Sequence, residues 1–417
     1  MSARHTWTGS LKTLPLLALS LGGLLGLAGC SHVKSGSAIS GTGGGGGGGG
    51  SAANSLAVQV NLGPGGNDLN FLFASVEICI HGTSNCQTIP NVQVDTGSTG
   101  LRLLGSEVTL SLPAVTDGSG NPVAECVQFV DMSYGWGSVN VADIKLAGEV
   151  ASSVPIQIIS PSGFPPVNAN CVIPAGQQLD SQATLHSNGI LGVGQLIQDC
   201  GNACATAPPP LNAYFSCVAQ ICSPNTVSLA NQVQNPVSLF TTDNNGVLIN
   251  LPSVPATGSA TVSGSLIFGI GTQSNNGLGT ATVYTTSATG DFTVTYNGTA
   301  YTQSFVDSGS NAFFFLDNAT SGLAACAANA AFYCPASTAM FTVTPMGQNG
   351  NSGSLTFSIA NIESLVAANP TFAAYSNAGG PFPGAFDLGL AFFYGRPVFT
   401  AIEGKTTSGG TGPYFAF

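Results

Sequence analysis

Asn91-Val92-Gln93-Val94-Asp95-Thr96-Gly97-Ser98-Thr99-Gly100 decides the reading of this chain. Apolar residues lead into an aspartate, then a hydroxyl residue, a glycine and a second hydroxyl. The alternation of Val92 and Val94 predicts a strand that delivers Asp95 into a tight turn. Gly97 permits that turn, and the hydroxyls of Thr96 and Ser98 can hydrogen-bond around the carboxylate. Asp-Thr-Gly alone is a weak signal in a chain rich in glycine and threonine, so its surroundings decide. The same order returns in the second half as Phe305-Val306-Asp307-Ser308-Gly309-Ser310. One copy in each half lets a fold with a pseudo-twofold axis bring Asp95 and Asp307 face to face. Two carboxylates at hydrogen-bond distance cannot both ionise; they hold one proton and titrate as a pair.

Outward from the first copy, Leu56–Asn61 and Asn70–Ile80 read as strands, and a short loop carrying Cys79 and Cys86 turns the chain. Met132-Ser133-Tyr134-Gly135-Trp136-Gly137-Ser138 places glycines and aromatics at an expected hairpin tip, a mobile loop able to stack on a ligand. Gly189-Ile190-Leu191-Gly192 ends an apolar pair in glycine, where one backbone passes close to another. In the second half, Pro236–Phe240, Gly264–Phe268 and Phe292–Tyr296 read as strands, and Arg396–Ile402 and Pro413–Phe417 as closing strands.

The order of these parts resembles the pepsin family of aspartic peptidases: Asp95–Ser98, the Tyr134–Ser138 segment, Gly189–Gly192, then Gly264–Gly269 and the second Asp motif. The resemblance implies an all-β, bilobal, pepsin-like double barrel whose lobes are related by a pseudo-twofold axis and enclose a cleft. It implies Asp95 and Asp307 as the catalytic carboxylates, supported by Thr96, Gly97, Ser98, Ser308, Gly309 and Ser310. Tyr134, Gly135 and Trp136 would then form the flap over a peptide or protein substrate, with no metal or organic cofactor, in a monomer. Arg102 stands where the family has a tryptophan that holds the flap tyrosine, which makes Trp136 a candidate for that task. Asp387-Leu388-Gly389 is similar to the segment that threads beside the second motif, with Leu390 where the family has aspartate.

Composition limits the alternatives. Past residue 51 only Arg102, Lys145, Arg396 and Lys405 are basic, against 18 acidic residues, a net charge of −14. Such a surface argues against nucleic acid, which requires a basic footprint. There is no Gly-x-Ser-x-Gly elbow, no His-Glu-x-x-His and no phosphate-binding loop. His81 and His186 lie in the body without a motif-level partner.

Residues 1–30 read as a lipoprotein signal peptide: Arg4 and Lys12, an apolar run from Leu14 to Leu27, then Leu27-Ala28-Gly29-Cys30. This resembles a lipobox, with Cys30 the lipidated residue that joins the protein to a membrane of the bacterial cell envelope, expected to be the outer membrane. Residues 31–53, with the unbroken Gly43–Gly50 run, read as a flexible tether. Residues 54–240 and 241–417 are the expected N- and C-terminal lobes. Lipobox and cysteine pattern together resemble a family of proteobacterial lipoproteins.

Removing Cys30 from the eleven cysteines leaves ten, an even number in an exported chain. Cys79/Cys86, Cys126/Cys171 and Cys326/Cys334 are candidate pairs. Cys200, Cys204, Cys217 and Cys222 form a cluster whose connectivity is open, with zinc ligation as the weaker alternative. Three functions fit: an aspartic endopeptidase, a pepsin-like lipoprotein that binds without cutting, and an adhesive all-β lipoprotein with two chance turns.

Overall fold

The structure, a computed structural model, describes residues 53–206 and 211–417. Cys30, the signal peptide and nearly all of the tether lie outside the described residues. The chain is all-β and bilobal, as expected. Short strands rich in Val, Ile and Phe alternate with uncharged turns, and the longest helix among the described residues is Ile362–Ala368. No helix among the described residues is long and apolar enough to cross a membrane.

Two strand arrangements repeat. In the first half, Cys86–Asp95 runs parallel to Gly189–Val193, which also pairs antiparallel with Thr99–Leu104. In the second half, Thr299–Val306 runs parallel to Phe382–Leu388, which also pairs antiparallel with Phe313–Leu316. Each arrangement threads one strand between the arms of an Asp-containing turn. This repeated topology is the pseudo-twofold relation, and it sets both turns at the same level of their lobes.

A shared sheet joins the halves. Ser55–Val60 pairs with Val262–Phe268, and the sheet continues through Gly246–Asn250, Pro397–Ala401, Tyr414–Ala416 and Val283–Thr285. The largest apolar core runs without a break from Val58 and Val60 through Leu191 and Phe268 to Phe386 and Phe415. Burying this continuous surface is the main force holding the lobes together.

Two local expectations are corrected. Pro236–Leu239 is a 3-10 helix, not a strand: proline opens it and the Asn235 side chain accepts a hydrogen bond from the Val237 N–H. The hairpin tip falls at residues 129–133, where the Phe129 N–H donates to the Ser133 carbonyl. Tyr134–Ser138 therefore lies inside the strand Tyr134–Leu146, paired in register with Val123–Gln128.

The candidate disulfides Cys79–Cys86, Cys126–Cys171 and Cys326–Cys334 form as expected. The open cluster resolves into Cys200–Cys204 and Cys217–Cys222, the latter tying two adjacent antiparallel strands.

Candidate active site

Asp95 is the last residue of its strand and lies opposite Gly192. A side chain on Gly192 would place a Cβ 2.7 Å from the Thr99 backbone, so only glycine lets the threaded strand pass. Gly389 has the same role behind Asp307: a Cβ there would stand 2.0 Å from the Ala312 carbonyl oxygen. The Asp307 N–H donates to the Leu388 carbonyl at 3.1 Å, and the Leu390 N–H to the Ser310 carbonyl at 2.7 Å.

The two turns hold their carboxylates alike. Asp95 Oδ1 accepts from the N–H of Gly97 at 2.7 Å and of Ser98 at 3.2 Å, and Oδ2 accepts from the Ser98 hydroxyl. Asp307 Oδ1 accepts from the Gly309 N–H at 2.7 Å, and Oδ2 from the Ser310 hydroxyl at 3.1 Å.

The turns also lock to each other. The Thr96 N–H donates to Ser308 Oγ at 3.1 Å, and the Ser308 N–H donates to Thr96 Oγ1 at 2.9 Å. Ser308 Oγ in turn donates to the Val94 carbonyl at 2.8 Å. The two glycines face the opposite acids: a Cβ on Gly97 would lie 2.4 Å from Asp307 Cγ, and one on Gly309 would lie 2.6 Å from Asp95 Oδ1. Without side chains there, the carboxylates approach across the axis.

Burial comes first, then the charge of Asp307 and the hydrogen bond that protonated Asp95 donates to it, in pushing the Asp95 carboxyl up to about 8. The donors on Ser98 and Gly97 oppose this without cancelling it. The pair therefore holds a proton at a pH where isolated carboxylates would not. A cavity of about 20 Å³, room for about one water, abuts the first turn and is lined by Thr96–Thr99, Gln195 and Phe415 among others. A larger cavity of about 410 Å³ lies between Thr116–Ser119 and Asn225–Asn231, and neither carboxylate lines it.

The expected flap residues Tyr134, Gly135 and Trp136 are buried in a small aromatic and disulfide cluster. Tyr134 is 6% exposed and packs with Trp136, Phe215 and the Cys126–Cys171 and Cys217–Cys222 disulfides. Its backbone is pinned by bonds from the Leu179 N–H and to the Gln177 carbonyl. The Trp136 indole donates to the Pro165 carbonyl at 2.9 Å and meets Phe215 edge-on at 5.0 Å. Gly137 is required where it stands, because a Cβ would overlap the Ile158 carbonyl oxygen at 1.8 Å.

Arg102 is wholly buried and takes up a different task from the tryptophan of the resemblance. Its guanidinium pairs with Glu125 at 2.7 Å and Asp199 at 3.2 Å and donates to the Thr99 carbonyl. The Tyr214 hydroxyl donates to Asp199 Oδ1 at 2.7 Å and accepts from the Val233 N–H at 2.8 Å. Burial and the neighbouring Glu125 hold the Asp199 carboxyl well above its usual range, while Arg102 holds Glu125 below its own against the effect of burial. One guanidinium thus faces two buried carboxyl groups whose titrations are pushed in opposite directions.

Glu125, Asp199 and Tyr214 were not singled out from sequence. The available signal was a charge inside an apolar run, in Leu101-Arg102-Leu103-Leu104 and in Val123-Ala124-Glu125-Cys126-Val127. Two further interlobe contacts carried no motif. Gln93 Nε2 donates to the Gly309 carbonyl at 2.8 Å. Asn70 donates to the Asn311 and Tyr375 carbonyls, each at 2.8 Å.

The chain belongs to the family described as protein of unknown function (DUF3443), whose model matches residues 50–417. A search of curated proteins finds no match. Among solved structures the chain is similar to an aspartic proteinase from Irpex lacteus, at 18% identity and a TM-score of 0.49, over 88% of this chain and 96% of that one. The repeated strand threading, not that likeness, carries the reading of the two halves.

Proposed function

We propose that the chain is an aspartic endopeptidase that hydrolyses peptide bonds with a water activated between Asp95 and Asp307. One observation carries this reading: the reciprocal lock of the two turns, in which each glycine opens the way to the other turn's carboxylate. The ionised member of the pair takes a proton from the water, which attacks the scissile carbonyl. The protonated member donates to the carbonyl oxygen, and a proton passes to the leaving amine. An extended peptide would lie in the cleft between the lobes. The signal grammar of residues 1–30 supports a lipid on Cys30 that holds the enzyme at the bacterial envelope, at the outer membrane.

The test is cleavage of denatured protein across acid to neutral pH, with and without a statine-type peptide inhibitor. Inhibitor-sensitive cleavage that disappears in Asp95→Asn is expected. Full activity in Asp307→Asn would sink the reading.

A second reading is a pepsin-like lipoprotein that binds a peptide or protein without cutting it. The burial of Tyr134 at the start of a strand, packed with Trp136 and Phe215, favours it. Peptide binding without turnover at any pH would select it.

A further inference from the structure

We propose that Arg102 is a positioning residue for the Asp95 turn, and that Asp199, Tyr214 and Val233 of the cysteine-rich segment are thereby working parts of the candidate site. The role in turnover rests on the peptidase reading above; the mechanical coupling does not.

The coupling follows the bonds outward from Asp95. Ser98 holds both carboxylate oxygens, and the next residue, Thr99, gives its carbonyl to the Arg102 guanidinium. The same guanidinium reaches Glu125, on the strand that pairs with Tyr134–Ser138, and Asp199, on the loop after Gly189–Val193. Asp199 is held in turn by Tyr214, on a strand of the cysteine-rich segment, and its N–H donates to the Val233 carbonyl at 3.1 Å. The segment then returns to the turn: Gly100, at φ +91°, leaves so little room that a Cβ there would meet Val233 Cγ1 at 2.3 Å. The path is a closed ring, from turn to arginine to acid to tyrosine to Val233 and back to the residue beside Thr99.

A buried ion pair is a poor source of stability, because desolvation offsets the Coulombic gain. What it supplies is direction. A planar guanidinium with fixed donor angles holds three elements in one orientation. Arg102, Glu125, Gln157, Asp199 and Tyr214 are all 0% exposed, so water does not compete for those bonds. Gln157 completes the frame by donating to the Glu125 carbonyl at 2.9 Å.

The experiment compares the full chain with Arg102→Met/Glu125→Gln, which removes both charges together so that neither is left buried alone. Tyr214→Phe deletes only the hydroxyl that links the segment to Asp199, and Lys145→Met is a surface control. Two readouts are taken: peptidase kinetics, and the pH at which Asp95 titrates by carboxyl carbon NMR, assigned with Asp95→Asn.

The double variant is expected to lose kcat roughly 10- to 100-fold, as for a small misplacement of a reacting group, with KM nearly unchanged. Asp95 should titrate at lower pH in it as the slackened turn admits water. Tyr214→Phe should shift Asp95 the same way by less, and the control should shift nothing. Wild-type kcat and titration in the double variant would overturn the proposal. If the double variant does not fold, Tyr214→Phe decides, and an unmoved Asp95 overturns it. If the wild-type chain does not cleave, the peptidase reading fails and the Asp95 titration alone decides the coupling.

Discussion

Behind the first turn lies charge; behind the second lie rings. Seven residues after Asp95 stands Arg102, wholly buried among Glu125, Asp199 and Tyr214. Seven residues after Asp307 stands Phe314, half-buried against Phe332 at 6.0 Å. Its neighbours Phe313 and Phe315 stack on Phe357 at 4.4 Å and Phe386 at 5.4 Å. The second turn is also held from the opposite lobe, through Asn70 to the Asn311 carbonyl. The twofold relation is therefore close at the axis and lost one layer behind it. Geometry at the axis is constrained by two turns that must fit each other. The layer behind need only be rigid, and a charged frame and an aromatic stack are two ways to achieve that.

The comparison can be broken at its centre first. Asp95→Asn and Asp307→Asn should each lower peptidase activity by roughly a hundred- to ten-thousand-fold, the range for losing a positioned acid or base. Loss from one substitution only would show that the carboxylates do not act as a pair. Gly97→Ala and Gly309→Ala come next. Each forces a Cβ against the opposite carboxylate and should cost about 1–3 kcal/mol by overpacking, read from denaturant midpoints. The reciprocal geometry predicts similar costs, and a harmless Gly97→Ala would contradict the close approach to Asp307.

Ser308→Ala leaves the buried Thr96 N–H without its acceptor and should cost about 1–3 kcal/mol. Combined with Thr96→Val it should show a coupling of about 0.5–3 kcal/mol in a double-mutant cycle. Strict additivity would deny the lock.

The last test is the pH dependence of stability. Asp95 is raised from 3.8 to about 8, so between those values the folded chain holds a proton that the unfolded chain has released. Its contribution to stability therefore falls as pH rises through that window. Asp95→Asn should flatten the decline of the thermal midpoint from pH 4 to 8 relative to wild type. Parallel curves would show that Asp95 is not raised.

How much could be read beforehand depended on range. Both aspartate turns, Gly192 and three disulfides were legible because each is a local pattern of a few residues. The pseudo-twofold fold followed from the repetition. The place of Tyr134 was not legible, because hairpin register is set by the partner strand: Gln128 opposite Tyr134 and Glu125 opposite Gly137. One shift of that pairing moves the turn from glycines to residues 129–133. The arginine frame was visible only as an exception to a resemblance. Its partners lie 23 and 97 residues away, and no spacing rule joins them. Pro236–Leu239 carried the apolar content of a strand, but the cap supplied by Asn235 overrode it.

Ser55–Val60 is the first-half strand through which the shared sheet crosses into the second half, matched residue for residue with Val262–Phe268 from Ser55 opposite Ile267 to Val60 opposite Val262. None of the five disulfides among the described residues crosses the exposed Thr241–Thr242 link between the halves. A protease that clips this link would thus sever the polypeptide without separating the molecule. The nicked protein would migrate as one species in a native gel and as two in a denaturing one, with both aspartates still opposed.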